Sequence, residues 1–322
     1  MPDDHLISAR GLARSFKTRE GSVDAVRGID FDVNAGEIVG LLGPNGAGKT
    51  TTLRMLTTLL EPSSGSATVV GHDLARQPRE VRRRIGYVAQ VGAMPSAGTV
   101  VGEELITQAR LQGLSKADAA ARLAALAPSL SLDGLEGRAL SELSGGQRRR
   151  FDIALGLMHR PALVFLDEPT TGLDPQSRAN LWDHIRALRE DEGVTILLTT
   201  HYLDEADALA DRILVMDDGL LVADDTPAAL KASISGDVIQ LTFPEDIDRA
   251  ERIARATLNP RELTATDDLL AITVDDGAVA IAPLLRALDA EDLSPTSVNV
   301  SRPSLDDVFL TLTGRSLREE AA

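Results

Sequence analysis

The sequence GPNGAGKT at positions 43–50 has the residue types and the spacing of a loop that binds phosphate groups. It follows the apolar run EIVGLL and precedes TTLRMLTTLL, so we predict a strand before the loop and a helix after it. Its three glycines would let main-chain N–H groups curl around an anion at the helix N-terminus. Lys49 would reach the β- and γ-phosphate oxygens, and the Thr50 hydroxyl would bind Mg²⁺. The alternative is a glycine turn that a lysine follows by chance.

Two adjacent carboxylates, Asp167 and Glu168, end a second apolar run, ALVFLDEP. If this run is a strand of a parallel sheet, both side chains lie at the edge of the sheet where ligands bind. Asp167 would then hold Mg²⁺, and Glu168 would be the general base for an attacking water. The alternative is a plain strand end at which Pro169 breaks the strand. The residues alone do not separate these two interpretations.

The sequence LSGGQ at 143–147 precedes RRRFDIALGLM and predicts a polar glycine turn that leads into a helix. The N-terminus of such a helix can bind an anion, but a turn of this kind caps a helix far more often than it binds a ligand. The arginines at 148–150, like those at 82–84, are expected to form a solvated helix face.

Apolar runs at 37–42, 162–166, 194–199 and 212–216 alternate with helix-forming stretches and predict strands packed between helices. The runs IVGLL, ALVFL and VTILL have no polar alternation, which is typical of strands covered on both faces in a mainly parallel sheet. Helix formers dominate residues 99–135, so we place a mainly helical insert at about 91–150. The first domain, residues 1–230, is therefore predicted to have an α/β fold.

The composition changes after Lys231, because residues 231–322 contain 9 Lys and Arg against 17 Asp and Glu and so carry −8 of the total charge of −16. The pattern in this segment predicts strands at 237–243, 262–266, 269–275 and 297–301. It predicts helices at 247–257 and 278–288 and a last helix near the end of the chain. We therefore expect a second domain at 231–322, with a small α+β fold.

The composition also limits the possible functions. A net charge of −16 opposes attraction to phosphate backbones and anionic lipid, so we expect no nucleic-acid partner. The chain has no cysteine, which excludes disulfides and thiolate metal sites. The apolar runs are far shorter than the ~18 residues that span a bilayer, and MPDDHLISAR does not read as a signal peptide. If the protein works at a membrane, another chain is expected to span it.

Six motifs occur in one order: GPNGAGKT, Gln90 in IGYVAQ, LSGGQ, LVFLDE, GLD at 172–174, and His201 in LLTTHYLDEAD. Together they resemble the nucleotide-binding domain of ATP-binding-cassette (ABC) transporters, over about residues 6–230. The resemblance implies a P-loop NTPase fold of the ABC type, with ATP and Mg²⁺ as ligands. The C-terminal segment, which contains SRPSLDDVFLTLTGR, resembles the C-terminal extension of daunorubicin-resistance-type ATP-binding subunits of drug exporters.

The resemblance also implies roles for single residues. Glu168, His201, Gln90 and Lys49 would be catalytic: His201 would hold the γ-phosphate and orient water against Glu168, and Gln90 would touch Mg²⁺ or that water and sense a membrane partner. The alternative for His201 is a hydrogen-bonded histidine in the core. The metal would be held by Thr50, Gln90 and Asp167. The nucleotide would be bound by Phe16, Gly43, Pro44, Asn45, Gly46, Ala47, Gly48, Lys49, Thr50, Thr51, Ser144, Gly145, Gly146, Gln147 and Asp174.

Four of these residues would act across an interface. Ser144, Gly145 and Gly146 would contact the γ-phosphate bound to the opposite subunit, and Asp174 would shape that contact. A complete site would therefore need a second copy of the subunit, placed head to tail. We also expect the acidic C-terminal domain to stabilise this dimer.

Phe16, in LARSF, is the candidate for stacking on adenine, because such domains carry an aromatic residue near the N-terminus. The stretch KTREGSVDAV after it is longer than the resemblance leads us to expect, and a loop there would place the ring differently. The alternative is a plain core aromatic. Tyr87 and Trp182 are expected to be packing residues.

The favoured function is the ATP-hydrolysing subunit of a drug or antibiotic exporter, peripheral on the cytoplasmic face of the membrane, which powers a separate transmembrane permease. The alternative is a soluble ABC-type ATPase that acts on nucleic acid or ribosomes. Chromosome-type members need a long coiled coil, for which residues 50–143 leave no room, and ribosome-acting members usually carry two cassettes. A nucleotide-binding regulator with slow turnover ranks last, because every expected catalytic position holds a competent residue.

Overall fold

The computed structural model describes residues 5–18, 21–90, 98–234, 236–243, 245–265, 268–301 and 304–313. The chain forms two compact units that divide between Thr226 and Pro227, four residues before the boundary that composition suggested. The described residues include no helix that is both long enough and apolar enough to cross a bilayer.

The first unit contains strands, α-helices and two short 3₁₀ turns. Its strands and α-helices are, in chain order, β1 (His5–Thr18), β2 (Gly21–Asn34), β3 (Ile38–Leu42), α1 (Lys49–Leu56), β4 (Ser64–Val69), β5 (His72–Asp73), α2 (Pro78–Arg84), β6 (Ile85–Val88), α3 (Val101–Leu111), α4 (Lys116–Leu126), α5 (Gly145–Leu157), β7 (Leu163–Asp167), α6 (Pro175–Glu192), β8 (Thr195–Thr200), α7 (Leu203–Leu209), β9 (Arg212–Asp217) and β10 (Leu220–Asp225).

A six-stranded sheet in the order β10-β9-β3-β8-β7-β6 forms the centre of this unit. All its neighbouring strands pair in parallel except β10 with β9. The four predicted strands are confirmed to within one residue at each end. Every residue of β3, β7 and β8 is buried. Alternate residues of β7 enter two different cores, Leu163 and Phe165 on one face and Val164 and Leu166 on the other, so the strand is apolar throughout.

A second sheet, antiparallel and in the order β2-β1-β4-β5, was not predicted from the sequence. Its apolar side chains share one core with β3 and α1. The described residues of KTREGSVDAV lie in strands, because they continue β1 as far as Thr18 and begin β2 at Gly21.

The predicted helical insert contains α3, α4 and the start of α5, with the 3₁₀ turns Pro128–Leu130 and Leu140–Glu142 between the last two helices. Residues 91–97, at the start of the predicted insert, lie outside the described residues. The helix α6 that follows β7 begins at an Asp174 cap with Pro175 in its first turn. It ends at Gly193, whose φ of +64° is typical of a helix C-cap.

The second unit is a small α+β fold whose elements match the predictions closely. They are α8 (Pro227–Ile234), β11 (Asp237–Thr242), α9 (Ile247–Thr257), β12 (Glu262–Ala265), β13 (Leu269–Val274), α10 (Gly277–Asp289), β14 (Ser297–Ser301) and α11 (Leu305–Thr313). The strands form an antiparallel sheet in the order β12-β13-β11-β14, and α9 and α10 contribute to the core beside it.

Candidate functional site

The loop between β3 and α1 has a backbone that only glycine fits at two positions. A Cβ on Gly43 would lie 2.2 Å from the main-chain oxygen of Met216. Gly48, the residue before α1, has a φ of +103°, and a Cβ there would lie 2.3 Å from the oxygen of Ala25. Asn45 and Gly46 are exposed at the tip. The loop therefore brings its backbone close to neighbouring strands and opens towards solvent at the start of a helix.

Lys49 and Thr50 begin α1 and both point into the site. Lys49 is buried, and its Nζ donates hydrogen bonds to the oxygens of Gly43 and Pro44 at 2.6 and 2.9 Å. Thr50 Oγ1 donates to Asp167 Oδ1 at 3.0 Å. The half-buried Thr51 follows in the same turn. The ammonium and hydroxyl groups of these residues thus converge on the carboxyl ends of β3 and β7.

Asp167 is the buried last residue of β7, and it accepts hydrogen bonds from two threonines. Besides Thr50, Thr199 Oγ1 donates to its Oδ1 at 2.7 Å, and the Tyr87 hydroxyl lies 3.5 Å from its Oδ2. The described residues contain no group of three or more carboxylate or imidazole side chains that could hold a metal by themselves. A hydroxyl beside a single carboxylate fits Mg²⁺, which is commonly bound by one or two carboxylates together with substrate phosphates.

Glu168 lies one residue past the end of β7 and has an unusual backbone for a non-glycine residue, with a φ of +45°. Its N–H donates to Thr199, to Oγ1 at 3.0 Å and to the main-chain oxygen at 3.2 Å. Left-handed backbone at such a position carries strain that the surrounding structure must hold.

Four side chains surround the Glu168 carboxylate. Gln90 Nε2 donates to Oε2 at 2.8 Å and Thr171 Oγ1 donates to the same oxygen at 3.1 Å. His201 Nδ1 and Lys49 Nζ lie 3.3 and 4.0 Å from Oε1. His201, followed by the Lys49 charge and the Thr171 hydroxyl, lowers the pKa of Glu168 despite its burial. The structure thus joins Lys49, Thr50, Gln90, Asp167, Glu168 and His201 in one cluster, an arrangement that a plain strand end does not explain.

LSGGQ forms the cap of α5. Ser144 Oγ accepts from the N–H of Gln147 at 3.3 Å, and Gln147 Oε1 accepts from the N–H of Ser144 at 2.9 Å. Ser144 and Gly145 are exposed, and a Cβ on Gly146 would lie 3.3 Å from Ser177 Oγ. These bonds are those of the capping turn that was one of the two interpretations.

Asp174 caps α6 in the same way, and it is exposed. Its Oδ1 accepts from the N–H of Ser177 at 2.9 Å, and Ser177 Oγ donates to its Oδ2 at 2.6 Å. These bonds lower the pKa of Asp174, so the carboxylate presents a negative charge to solvent.

Phe16 is not a core residue. It lies on β1 opposite Val23, 36% of it is exposed, and the Arg14 guanidinium carbon lies 4.8 Å from the centre of its ring. One face of the ring is thus covered by a cation. The core interpretation is wrong, and stacking on adenine remains a prediction for the other face.

Arg149 was expected on a solvated helix face, and this expectation is wrong, because the residue is buried and hydrogen-bonded to main-chain oxygens beside Gln90 and Glu168. A signal was present in the sequence. Arg149 lies four residues before Ile153 and eight before Leu157, and both are buried on the same helix, so position 149 belongs to its inward stripe.

Tyr87 and Trp182 were expected only to pack, yet each has a polar contact. Tyr87 approaches Asp167, and Trp182 Nε1 donates to Glu205 Oε1 at 3.4 Å. Glu205 on α7 is completely buried. The apolar pattern of these segments gave no sign of either contact.

Comparisons with known proteins agree with this geometry. A family model described as ABC transporter matches residues 26–171, and one described as ATP-binding protein DrrA1-3-like, C-terminal domain, matches residues 226–313. The chain is 46% identical to the daunorubicin/doxorubicin resistance ATP-binding protein DrrA of Streptomyces peucetius, over 96% of this chain and 92% of that protein. It is 44% identical to the daunorubicin resistance ATP-binding protein DrrA2 of Streptomyces coeruleorubidus, over 94% of each.

A solved structure of CbiO1 from Clostridium perfringens, part of the ABC transporter complex CbiONQ, is also similar. It superimposes with a TM-score of 0.63 and 26% identity, over 71% of this chain and 92% of that one. The motifs, the cluster around Glu168 and these matches lead to one conclusion: the chain belongs to the ABC transporter family, as an ATP-binding, ATP-hydrolysing protein of the DrrA-like group.

Proposed function

We propose that the chain is the ATPase subunit of an exporter and that it powers a separate membrane-spanning permease. The observation that carries this proposal is the hydrogen bond between Gln90 and Glu168, because Gln90 also lies next to a surface cavity that a second protein can enter. A partner protein bound in this cavity would therefore act on the Glu168 carboxylate through the side chain of Gln90.

The cluster of side chains around Glu168 accounts for ATP hydrolysis in this proposal. The loop at 43–50 and Lys49 bind the phosphates of ATP, and Glu168 takes a proton from the water that attacks the γ-phosphate. His201 lies beside the same carboxylate and orients that water. Thr50, Asp167 and Gln90 would hold Mg²⁺, which neutralises phosphate charge when bound. The lowered pKa of Glu168 keeps the carboxylate ionised and able to accept the proton.

A second copy of the chain completes the site in this proposal. Ser144 and Gly145 begin a helix and are exposed, so the helix N-terminus can bind the γ-phosphate of ATP on a facing copy. Asp174 is exposed at the start of a neighbouring helix and lies at the same interface. ATP held between two copies favours the closed dimer, because only that state contacts the γ-phosphate from both sides.

The permease docks on the cavity beside Gln90. The cavity has a volume of about 560 Å³ and lies between the end of α1, β6, α3 and α5. Its lining combines the apolar Leu59 and Leu155 with the acidic Glu104, the basic Arg82 and Asp152, which is ion-paired with Arg148. The cavity continues along β6 to Ala89, the neighbour of Gln90. A cytoplasmic segment of the permease with both apolar and polar side chains fits this mixed lining.

The transported molecule is proposed from the relatives. Because two of them carry the names of daunorubicin-resistance proteins, we propose an exporter of drugs or antibiotics, with this chain peripheral on the cytoplasmic face of the membrane. The acidic net charge gives no support to the alternative, an ATPase that acts on nucleic acid or ribosomes.

Co-purification tests the proposal. The chain is tagged in its native cell, membranes are solubilised in detergent, and the bound proteins are identified by mass spectrometry. We expect one polytopic membrane protein in stoichiometric amount. We expect its loss when the partly buried Leu155 is changed to Arg in the cavity, in a protein whose thermal unfolding shows that it is folded. The exposed Leu111→Arg is a surface control outside the cavity. Recovery in a soluble fraction with ribosomes or DNA would contradict the proposal.

A further inference from the structure

Arg149 is a buried cation whose guanidinium group bonds main-chain oxygens. Its Nε donates to the oxygen of Pro169 at 2.7 Å, and its Nη1 donates to that of Ala89 at 2.7 Å. Its Nη2 donates to the oxygens of Asp167 and Glu168 at 3.0 and 3.3 Å. A longer contact of 3.5 Å joins Nη1 to the oxygen of Gln90.

These oxygens belong to two separate segments of chain. One segment follows β6 and carries Gln90, and the other ends β7 and carries Glu168. The rigid, planar fork of a guanidinium holds several acceptors at fixed angles, which the single nitrogen of a lysine does not do. A single side chain thus fixes the distance between the two backbones whose side chains meet in the Gln90–Glu168 hydrogen bond.

The bonds also bear on the strained backbone of Glu168. Its φ of +45° turns the chain so that the oxygens of residues 167–169 all lie within reach of Arg149. Buried carbonyl groups that lose their hydrogen-bond donors are costly. Without the guanidinium, these groups would turn towards other donors and take the Glu168 carboxylate with them.

We infer that Arg149 is a positioning residue for ATP hydrolysis, which sets the placement of Gln90 and Glu168 and ties both to α5. The inference rests on the proposed function. Ser144 caps α5. When α5 moves on binding a second copy, Arg149 transmits this movement to the backbone of Glu168. A contact at the LSGGQ turn of one copy therefore affects the position of the general base, Glu168, in the same copy.

The chain contains a matched control in Arg122, which is also buried and also lies in the helical insert. Its Nη1 donates to both carboxylate oxygens of Glu192 at 2.8 and 2.9 Å, and its Nη2 donates to the oxygen of Leu157 at 3.2 Å. These bonds hold α4, α5 and α6 together and do not involve Gln90 or Glu168. Loss of Arg122 therefore reports the cost of losing a buried arginine that bonds neither the Gln90 segment nor the Glu168 segment.

The test compares Arg149→Met, Arg149→Lys and Arg122→Met in the full-length chain with its co-purified permease. ADP affinity, thermal unfolding, and kcat and KM for ATP are measured for each protein. We expect Arg149→Met to lower kcat by about tenfold or more, since small displacements of catalytic groups have effects of this size. ADP affinity and KM should change by less than about threefold. Arg149→Lys should recover part of kcat, and Arg122→Met should lose as much thermal stability with kcat nearly unchanged.

Three results would overturn the inference. The first is a normal kcat per folded molecule in Arg149→Met, and the second is an equal loss of kcat in Arg122→Met at equal loss of stability. If Arg149→Met does not fold, Arg149→Lys decides: lowered kcat with retained ADP affinity supports the inference, and unchanged kcat is the third contrary result. A wild-type protein without ATPase activity would instead contradict the proposed function, and the inference with it.

Discussion

Gln90 and Glu168 follow adjacent parallel strands, β6 and β7, and their side chains meet in a hydrogen bond of 2.8 Å. Because the donor is an amide and the acceptor a carboxylate, the bond is charge-assisted and strengthens the ionised form of Glu168. The orientation of the proposed general base therefore depends on a residue beside the proposed permease cavity. A change in the position of Gln90 changes the direction in which the carboxylate points.

Replacement of Glu168 by Gln should separate ATP binding from hydrolysis. The amide keeps the size of the side chain and still accepts hydrogen bonds from Gln90 and Thr171, but it cannot take a proton from water. We expect phosphate release to fall by roughly 10²-fold or more, as for loss of a general base, while ATP is retained and a dimer accumulates in size-exclusion chromatography. The exposed Glu190→Gln is the control. A Glu168→Gln protein that hydrolyses ATP near the wild-type rate would remove Glu168 from this role.

Loss of the Phe16 ring should weaken binding of the base and leave hydrolysis intact. Stacking of a base on an aromatic ring is worth ~1–3 kcal/mol, so Phe16→Ala should raise KM for ATP by roughly tenfold at unchanged kcat. Phe16→Trp should restore KM. Inhibition by tripolyphosphate, which has no base, should be the same in all three proteins. An equal loss of tripolyphosphate affinity in Phe16→Ala would show that the ring supports the phosphate loop and not adenine.

Two glycines with positive φ allow the cost of backbone strain to be distinguished from the cost of a steric clash. Gly36 has a φ of +79° with nothing within 4 Å of an added Cβ, whereas a Cβ on Gly48 would lie 2.3 Å from a main-chain oxygen. Gly36→Ala should cost only the ~1–2 kcal/mol of a left-handed alanine and keep ADP affinity. Gly48→Ala must shift the start of α1, so ADP binding measured by calorimetry should fall by at least tenfold. Equal behaviour of the two variants would contradict the close approach at Gly48.

Replacement of Glu205 by Gln should change how stability depends on pH. Burial raises the pKa of Glu205, although the neighbouring Thr200, Thr170 and Trp182 side chains oppose the shift. A raised pKa means that the folded protein keeps this proton to higher pH than the unfolded chain does. The free energy of unfolding of the wild type should therefore fall as the pH rises above the ordinary carboxyl pKa of 4.5.

Glu205→Gln has no such proton, so its free energy of unfolding relative to that of the wild type should increase as the pH rises above 4.5. Urea unfolding followed by fluorescence of the single tryptophan, Trp182, measures this difference. A difference between the two proteins that is constant with pH would contradict the shift.

The sequence predicts those strands and helices whose own pattern of apolar and polar residues shows how they are buried. The runs at β3, β7 and β8 are apolar throughout because both faces are covered, and each was located to within one residue. The strand end of ALVFLDEP predicted Asp167 and Glu168 at a ligand-binding edge of the sheet, whereas Gln90 and His201 were predicted only through the resemblance to ABC domains. The elements of the second unit from β11 onward were also located from the sequence, whereas α8 was not predicted.

The rest depends on pairing between distant segments, which local patterns do not record. The sheet of β1, β2, β4 and β5 was missed because its strands mix buried and exposed residues irregularly, with register shifts in β1. Arg149 was missed because an arginine run suggests solvent. Its place on the inward stripe of α5 was a signal for its burial, but the main-chain oxygens that it bonds carry no signature in the sequence. Phe16 was left between two interpretations, since its exposure depends on the β1–β2 pairing.

The order of strands in the central sheet also determines when the nucleotide site can form during synthesis. β3, which ends just before the phosphate loop, pairs with β8 and β9, whose residues leave the ribosome more than 150 positions later. The loop packs closely against Met216. The N–H of Gly219 donates a hydrogen bond to the main-chain oxygen of Ala47 in the loop. Until β9 has been synthesised, the GPNGAGKT loop therefore lacks the strands that determine its conformation. We therefore expect ATP to stabilise the chain only after β9 has been synthesised, so that about the first two hundred residues fold without help from the ligand.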